Sequence, residues 1–178
     1  AACHNFSRGA KAPGLMAISA NFDETTNILK MSHPNKNDLI FCPDTEGDKL
    51  IEWTKDLIPS DRSGSAKLIR AKASAMTDTD YPSITICSST SHDALAKEMG
   101  CDLSKNRWRG NLWIDDLEPW EEMEWIGKIV QIGNIKFDIV EPVQRCMATT
   151  ANPETGVRDA DTFCLLYTSP SPRDLAVS

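Results

Sequence analysis

Three short stretches hold the residues best suited to chemistry: Ser-Ser-Thr-Ser at 88–91, Arg-Trp-Arg-Gly-Asn at 107–111, and Arg145-Cys146. A Thr90-Ser91 pair at a helix start offers hydroxyls together with free backbone N–H groups, the ingredients of a phosphate site. Arg109 and Asn111 stand two residues apart, so on a strand they share a face. From there they offer charge-assisted and amide hydrogen bonds to a phosphate or a polar heterocycle. Cys146 beside Arg145 can be held as thiolate, and thiolate is a soft metal ligand. Each also has a plainer reading: hydroxyls cap helices, arginines pair at surfaces, and free cysteines are buried. Spacing alone stops at a barrel-like domain with a candidate anion site.

The other reactive residue types carry less. Asp115, Asp116, Glu118, Glu121, Glu122 and Glu124 could form a hydrolase pair or a divalent-metal site. They read instead as a solvated face around packed Trp120 and Trp125, because charges normally sit outside. His4, His33 and His92 lack partners at zinc spacing, and the chain has neither a G-x-S-x-G nor a Walker A loop.

The elements that must position these groups follow from turn residues and periodicity. Apolar runs at 14–20 and 38–42 read as strands, 48–58 as an amphipathic helix ending before Pro59, and 66–73 as a strand. Residues 83–87 form a buried strand that runs into a helix capped by Thr90 or Ser91 and stopped by Gly100. Residues 109–115 read as a strand, and Pro119 with Glu121 and Glu122 starts a short helix. Two alternating runs joined by Gly133-Asn134 make a hairpin over 128–140. Cys146 then lies between that hairpin and the tight turn opened by Asn152-Pro153 and closed by Gly156. Many short strands with few helices give the expected class, a β-rich mixed α/β fold with a barrel decorated by short helices.

Composition sets the outer limits. With 178 residues the chain suits one ordinary domain or two small ones, and 40% hydrophobic with 25% charged residues describes a globular protein. A net charge of −7 without a basic stripe argues against nucleic-acid binding. No apolar run spans a bilayer, so no membrane association is expected. Six dispersed cysteines, without C-x-x-C pairs, read as reduced thiols in a cytoplasmic protein.

Both ends look unnatural. The chain opens Ala-Ala-Cys without methionine, and residues 164–174 can be back-translated into the transposase adapter used for sequencing libraries. The expectation is therefore a native sequence ending near Phe163, with 164–178 as adapter read-through.

The three stretches, in this order, resemble the MOSC domain, the family named for the C-terminal part of molybdenum cofactor sulfurases. The resemblance runs over about 80–163. It is carried by DYPSITICSSTSHDAL, NRWRGNLWID, PWEEMEWIGKIVQIGNIKF and EPVQRCMATTANPETGVRDADT. The Arg-Cys-x-x-Thr followed by Pro-x-Thr-Gly is the most specific part. Residues 1–79 resemble, more weakly, part of the β-rich domain that precedes MOSC in amidoxime-reducing and related bacterial proteins.

The resemblance implies a MOSC-type β-barrel, C-terminally truncated here, that holds a molybdenum cofactor (molybdopterin) against the N-terminal part. Cys146 would ligate molybdenum and act as the catalytic residue. Thr90, Ser91, Trp108, Arg109, Asn111 and Arg145 would bind the pterin and its phosphate. Ser89 stands where amidoxime-reducing relatives have an acidic residue, and Gly110 where they have proline. The family's Lys-Ser and Gly-Asp-Arg segments and its final strand are missing from this sequence. The family is also associated with pyridoxal phosphate binding. The implied function is an oxidoreductase removing oxygen from small N-hydroxylated substrates, with electrons from a separate iron–sulfur or flavin protein. The alternative is a sulfur-carrier module holding a persulfide on Cys146. A third reading is a non-catalytic barrel whose acidic face meets partners.

Overall fold

In the computed structural model, the described residues are 7–71, 77, 79–168 and 175–177. They divide into two compact units, Ala1–Ala73 with Thr150–Ala160, and Ser74–Thr149 with Asp161–Ser178.

In the first unit, Pro13–Ala17 is a 3-10 turn, and Pro13 suits its start because the first helical N–H needs no acceptor. The strand expected over 14–20 is therefore displaced. It begins only at Ser19, as β1 (Ser19–Asp23), followed by β2 (Ile28–His33) and β3 (Lys36–Phe41) in an antiparallel meander. Asp23 closes the first turn by accepting from Thr25 N at 2.9 Å, and Asn27 takes the left-handed conformation that asparagine tolerates. α1 (Gly47–Thr54) continues as a 3-10 turn to Leu57, and Trp53 Nε1 donates to the Asn37 carbonyl at 2.8 Å, which seats the helix on β3. The strand expected over 66–73 does not form at 66–71, and 72–73 lie outside the described residues.

The 150–160 segment of this unit is a turn organised by Asn152. Its side chain accepts from Glu154 N at 2.8 Å, and its carbonyl accepts from Gly156 N at 2.8 Å. Gly156 has φ 72, and a Cβ there would stand 2.9 Å from Gly14 Cα, so only glycine fits.

The second unit is built on β4 (Ile84–Ser88), which runs directly into α2 (Ser89–Met99) and pairs in parallel with β5 (Leu112–Ile114). β6 (Ile129–Ile132) and β7 (Ile135–Pro142) form the expected hairpin around Gly133. After α3 (Thr162–Thr168), β8 (Leu175–Val177) lies between β4 and β7, antiparallel to both. The sheet order is β5-β4-β8-β7-β6. β8 lies beyond Phe163, the expected end of the native sequence; main-chain pairing between two open edges asks little of sequence. Ile86 and Ile139 are fully buried and gather Leu112, Ile114, Met123, Trp125, Val130 and Phe137 around them.

The class is mixed α/β, as the pattern predicts. Closure into a barrel is not among the pairings of the described residues, since β5 and β6 remain the two outer strands. Among those residues no helix is long and apolar enough to cross a membrane.

Candidate functional site

The first turn of α2 is organised by Ser88, not by Thr90 or Ser91. Ser88 Oγ accepts from Ser91 N at 3.2 Å and lies 2.9 Å from Thr90 Oγ1. An extended residue at the end of a strand is the natural cap, because its side chain can turn back to the third amide of the helix. Thr90 stays half-buried. Ser91 is buried, and its hydroxyl donates to Glu122 at 2.9 Å while accepting from Trp120 N at 2.8 Å. Ser89, also buried, is met by the Lys105 ammonium at 2.7 Å.

The second stretch does not lie on a strand as expected. Lys105–Arg107 is a 3-10 turn, Trp108 ends it, and Arg109 has φ 52 ahead of β5. Arg109 and Asn111 therefore do not alternate along one strand face. Arg109 is exposed. Asn111 Oδ1 accepts from Thr85 N at 2.8 Å, while its own N–H donates to the Thr85 carbonyl, so it replaces a strand residue beside β4. Gly110 is required by packing: a Cβ would stand 2.4 Å from Cys87 Sγ.

Trp108 is buried and joins the second stretch to the third. Its indole N–H donates to His92 Nδ1 at 2.8 Å, and its carbonyl accepts from Arg145 Nη1 at 2.6 Å. The Arg145 guanidinium also stands 5.8 Å from the indole ring, within cation–π range, with Nη2 4.0 Å from Cys87 Sγ. Burial lowers the Arg145 pKa, and the two neighbouring thiols, Cys87 and Cys146, act against that. Burial pushes the Cys87 thiol up to about 11, so it stays neutral.

Cys146 is exposed, four residues beyond the end of β7. Its carbonyl accepts from both the amide and the hydroxyl of Thr149, which fixes the backbone of this exposed residue. Thus Trp108, Arg145 and Cys146 come together, Thr90 and Ser91 begin the adjoining helix, and Asn111 is engaged with β4. Among the described residues no group of three His, Cys, Asp or Glu assembles into a metal site.

Two participants are not legible in the sequence pattern. Glu122 does not belong to a solvated face: it is 1% exposed, and burial raises its pKa although Ser91 bonds to it. His92 is 8% exposed and holds the Trp108 indole, with its rings edge-on to Trp108 and Trp113. The available signal was helical spacing, which places residue 92 one turn into a helix beside a buried strand. A pocket lined by Ser91, His92, Leu95, Trp108, Trp113, Trp120 and Leu166 leaves about 20 Å³, room for a water and far too little for a pterin.

A model of the MOSC domain family matches residues 75–172. The chain is 33% identical over 69 residues to molybdenum cofactor sulfurase 2 of Culex quinquefasciatus, covering 39% of this chain and 9% of that protein. It is 37% identical over 70 residues to molybdenum cofactor sulfurase of Drosophila grimshawi, again covering 39% and 9%. Against molybdenum cofactor sulfurase of Drosophila melanogaster it is 25% identical over 125 residues, covering 66% of this chain and 15% of that protein. The chain thus spans a small part of the length of these relatives.

Proposed function

Because the chain belongs to the MOSC domain family, we propose that its MOSC region binds the molybdenum cofactor, with Cys146 as the thiolate that meets the metal. The observation that carries this reading is the pairing of an exposed cysteine with a clamped backbone. Thr149 holds the Cys146 carbonyl, and Trp108 holds the Arg145 guanidinium beside it. A ligand kept in one geometry loses little entropy when it binds.

The donor set fits an anionic, sulfur-ligated group in part. Cys146 offers soft sulfur, exposed Arg109 offers a fork of donors for a phosphate, and half-buried Thr90 offers a hydroxyl at the start of α2. Trp108 and Arg145 build the wall behind Cys146. Ser91 is engaged inside the fold and exposed Asn111 is bonded to the β4 backbone, so their part is to hold α2 and the 107–111 loop in place. The five-stranded sheet is read as the described portion of a MOSC-type barrel, residues 80–163 as the MOSC domain, and 1–79 as part of the β-rich domain before it.

When bound, the cofactor supplies two-electron chemistry together with oxygen- or sulfur-atom transfer. In the redox reading the substrate is a small N-hydroxylated compound, whose reduction consumes two electrons and two protons and releases water. Electrons then come from a separate iron–sulfur or flavin protein. In the second reading Cys146 carries a persulfide whose outer sulfur passes to an acceptor thiolate: the new sulfur–sulfur bond forms as the Cys146 bond breaks, and Cys146 leaves as thiolate. The relatives named for cofactor sulfuration favour that reading. Loading the full chain with isolated cofactor and measuring molybdenum tests the claim that Cys146 meets the metal. The wild type retains metal and Cys146→Ser does not; equal retention removes the assignment. Mass spectrometry of the intact wild type then separates the readings: a labile extra sulfur on Cys146 selects the carrier.

A further inference from the structure

We propose that His92 is a positioning residue for the Arg145-Cys146 site, acting through Trp108, and that protonating it releases that site. The link to function rests on the cofactor reading above; the link from His92 to Arg145 stands on geometry alone.

The relay has two steps. The Trp108 indole is only a donor, so His92 Nδ1, 2.8 Å away, must be the acceptor. The imidazole proton then sits on Nε2, consistent with the Leu103 carbonyl that hydrogen-bonds the ring. With ring and tautomer fixed, the Trp108 backbone is fixed, and its carbonyl receives the Arg145 guanidinium at 2.6 Å. The ring of the same tryptophan faces that guanidinium at 5.8 Å. Arg145 is the residue before Cys146, so the acceptor state of one imidazole nitrogen bears on where the exposed thiol stands.

Protonation would put a hydrogen on Nδ1, pointing at the indole N–H. Two donors then face each other in a buried space, and the contact must open. The groups facing His92 are Asp93 on its own helix, Asp102 and Lys105 from the segment beyond α2, the Leu103 carbonyl, and the Trp108 and Trp113 rings. Burial outweighs the two carboxylates and lowers the His92 pKa below its ordinary 6.5. The folded state therefore binds fewer protons than the unfolded one. The His92 contribution is present above the unfolded pKa and is lost as pH falls through the folded one.

The test uses nitrogen-resolved NMR on the full chain, following the Trp108 indole N–H and the Arg145 guanidinium N–H from about pH 8 to about pH 5. In the wild type both signals should shift together with one midpoint below 6.5. In His92→Asn, whose side-chain oxygen can replace Nδ1 as acceptor, both signals should persist without a midpoint. In His92→Phe, which keeps the ring and removes the acceptor, exchange of the indole N–H should quicken roughly fivefold and the Arg145 signal should broaden. A space-filling role predicts the reverse, with Phe resembling wild type and Asn not. That outcome, or wild-type signals that do not move with pH, overturns the proposal. Should His92→Phe fail to fold, the wild-type titration decides alone. Metal retention with Cys146→Ser is read separately, so a lost cofactor reading leaves this titration intact and a flat titration leaves the metal assignment intact.

Discussion

The Ser91 hydroxyl donates to the Glu122 carboxyl at 2.9 Å, joining the first turn of α2 to a buried acid 31 positions further along the chain. The same oxygen accepts from Trp120 N, a residue held at φ 74, so one serine ties the acidic loop to the helix.

Glu122→Gln should therefore be tolerated and Glu122→Ala should not. Glutamine keeps an acceptor for Ser91 and cannot ionise. Alanine leaves a buried hydroxyl without its acceptor and should cost about 1–3 kcal/mol. Burial raises the Glu122 pKa, so the unfolded state ionises first as pH rises. Stability is full below the unfolded value and falls until pH passes the folded one. Denaturant melts across that window should show the fall in wild type and its absence in the glutamine variant.

Gly110→Ala should destabilise by about 1–3 kcal/mol, because the new methyl meets Cys87 Sγ at 2.4 Å in a packed interior. Cys87→Ala removes the colliding atom. The double variant should recover most of the loss, and a double-mutant cycle by denaturant melts measures how much. Additive losses would place the strain elsewhere.

Thiol reactivity should sort by burial. Exposed Cys101, Cys146 and Cys164 should alkylate first, while Cys87, buried and with its pKa near 11, should label only on unfolding. Peptide mapping after timed alkylation near neutral pH reads the order.

In the 150–160 turn, Gly156→Ala combines a left-handed φ with a Cβ 2.9 Å from Gly14 Cα. A loss above about 1 kcal/mol is expected by denaturant melt.

Strand β4, α2 with its stop, the β6–β7 hairpin and the Asn152 turn were legible, because each rests on local chemistry: an apolar run, a glycine at φ 63 after Met99, a Gly-Asn pair, an Asn-Pro pair. The cap of α2 was misplaced, because Ser88 at the strand end takes it from Thr90 and Ser91. β1 and β2 were not, since SANFD and ILKMSH mix polar with apolar residues and draw their partners from pairing. Arg109 was misplaced because alternation suggests a strand, whereas a tight turn and the contact of Gly110 with Cys87 set the backbone there. Glu122 and His92 stayed hidden for one reason: burial depends on what folds over a residue, and neither local charge nor spacing reports that. The Arg-Cys pair was legible as a type of chemistry, but its clamps, Thr149 and Trp108, belong to the fold.

X-ray absorption at the molybdenum edge tests the central claim most directly. Cofactor loaded onto the full wild-type chain should show one more sulfur around the metal than free cofactor does, and Cys146→Ser should lose it. An identical sulfur count in free cofactor, wild type and variant would contradict the account.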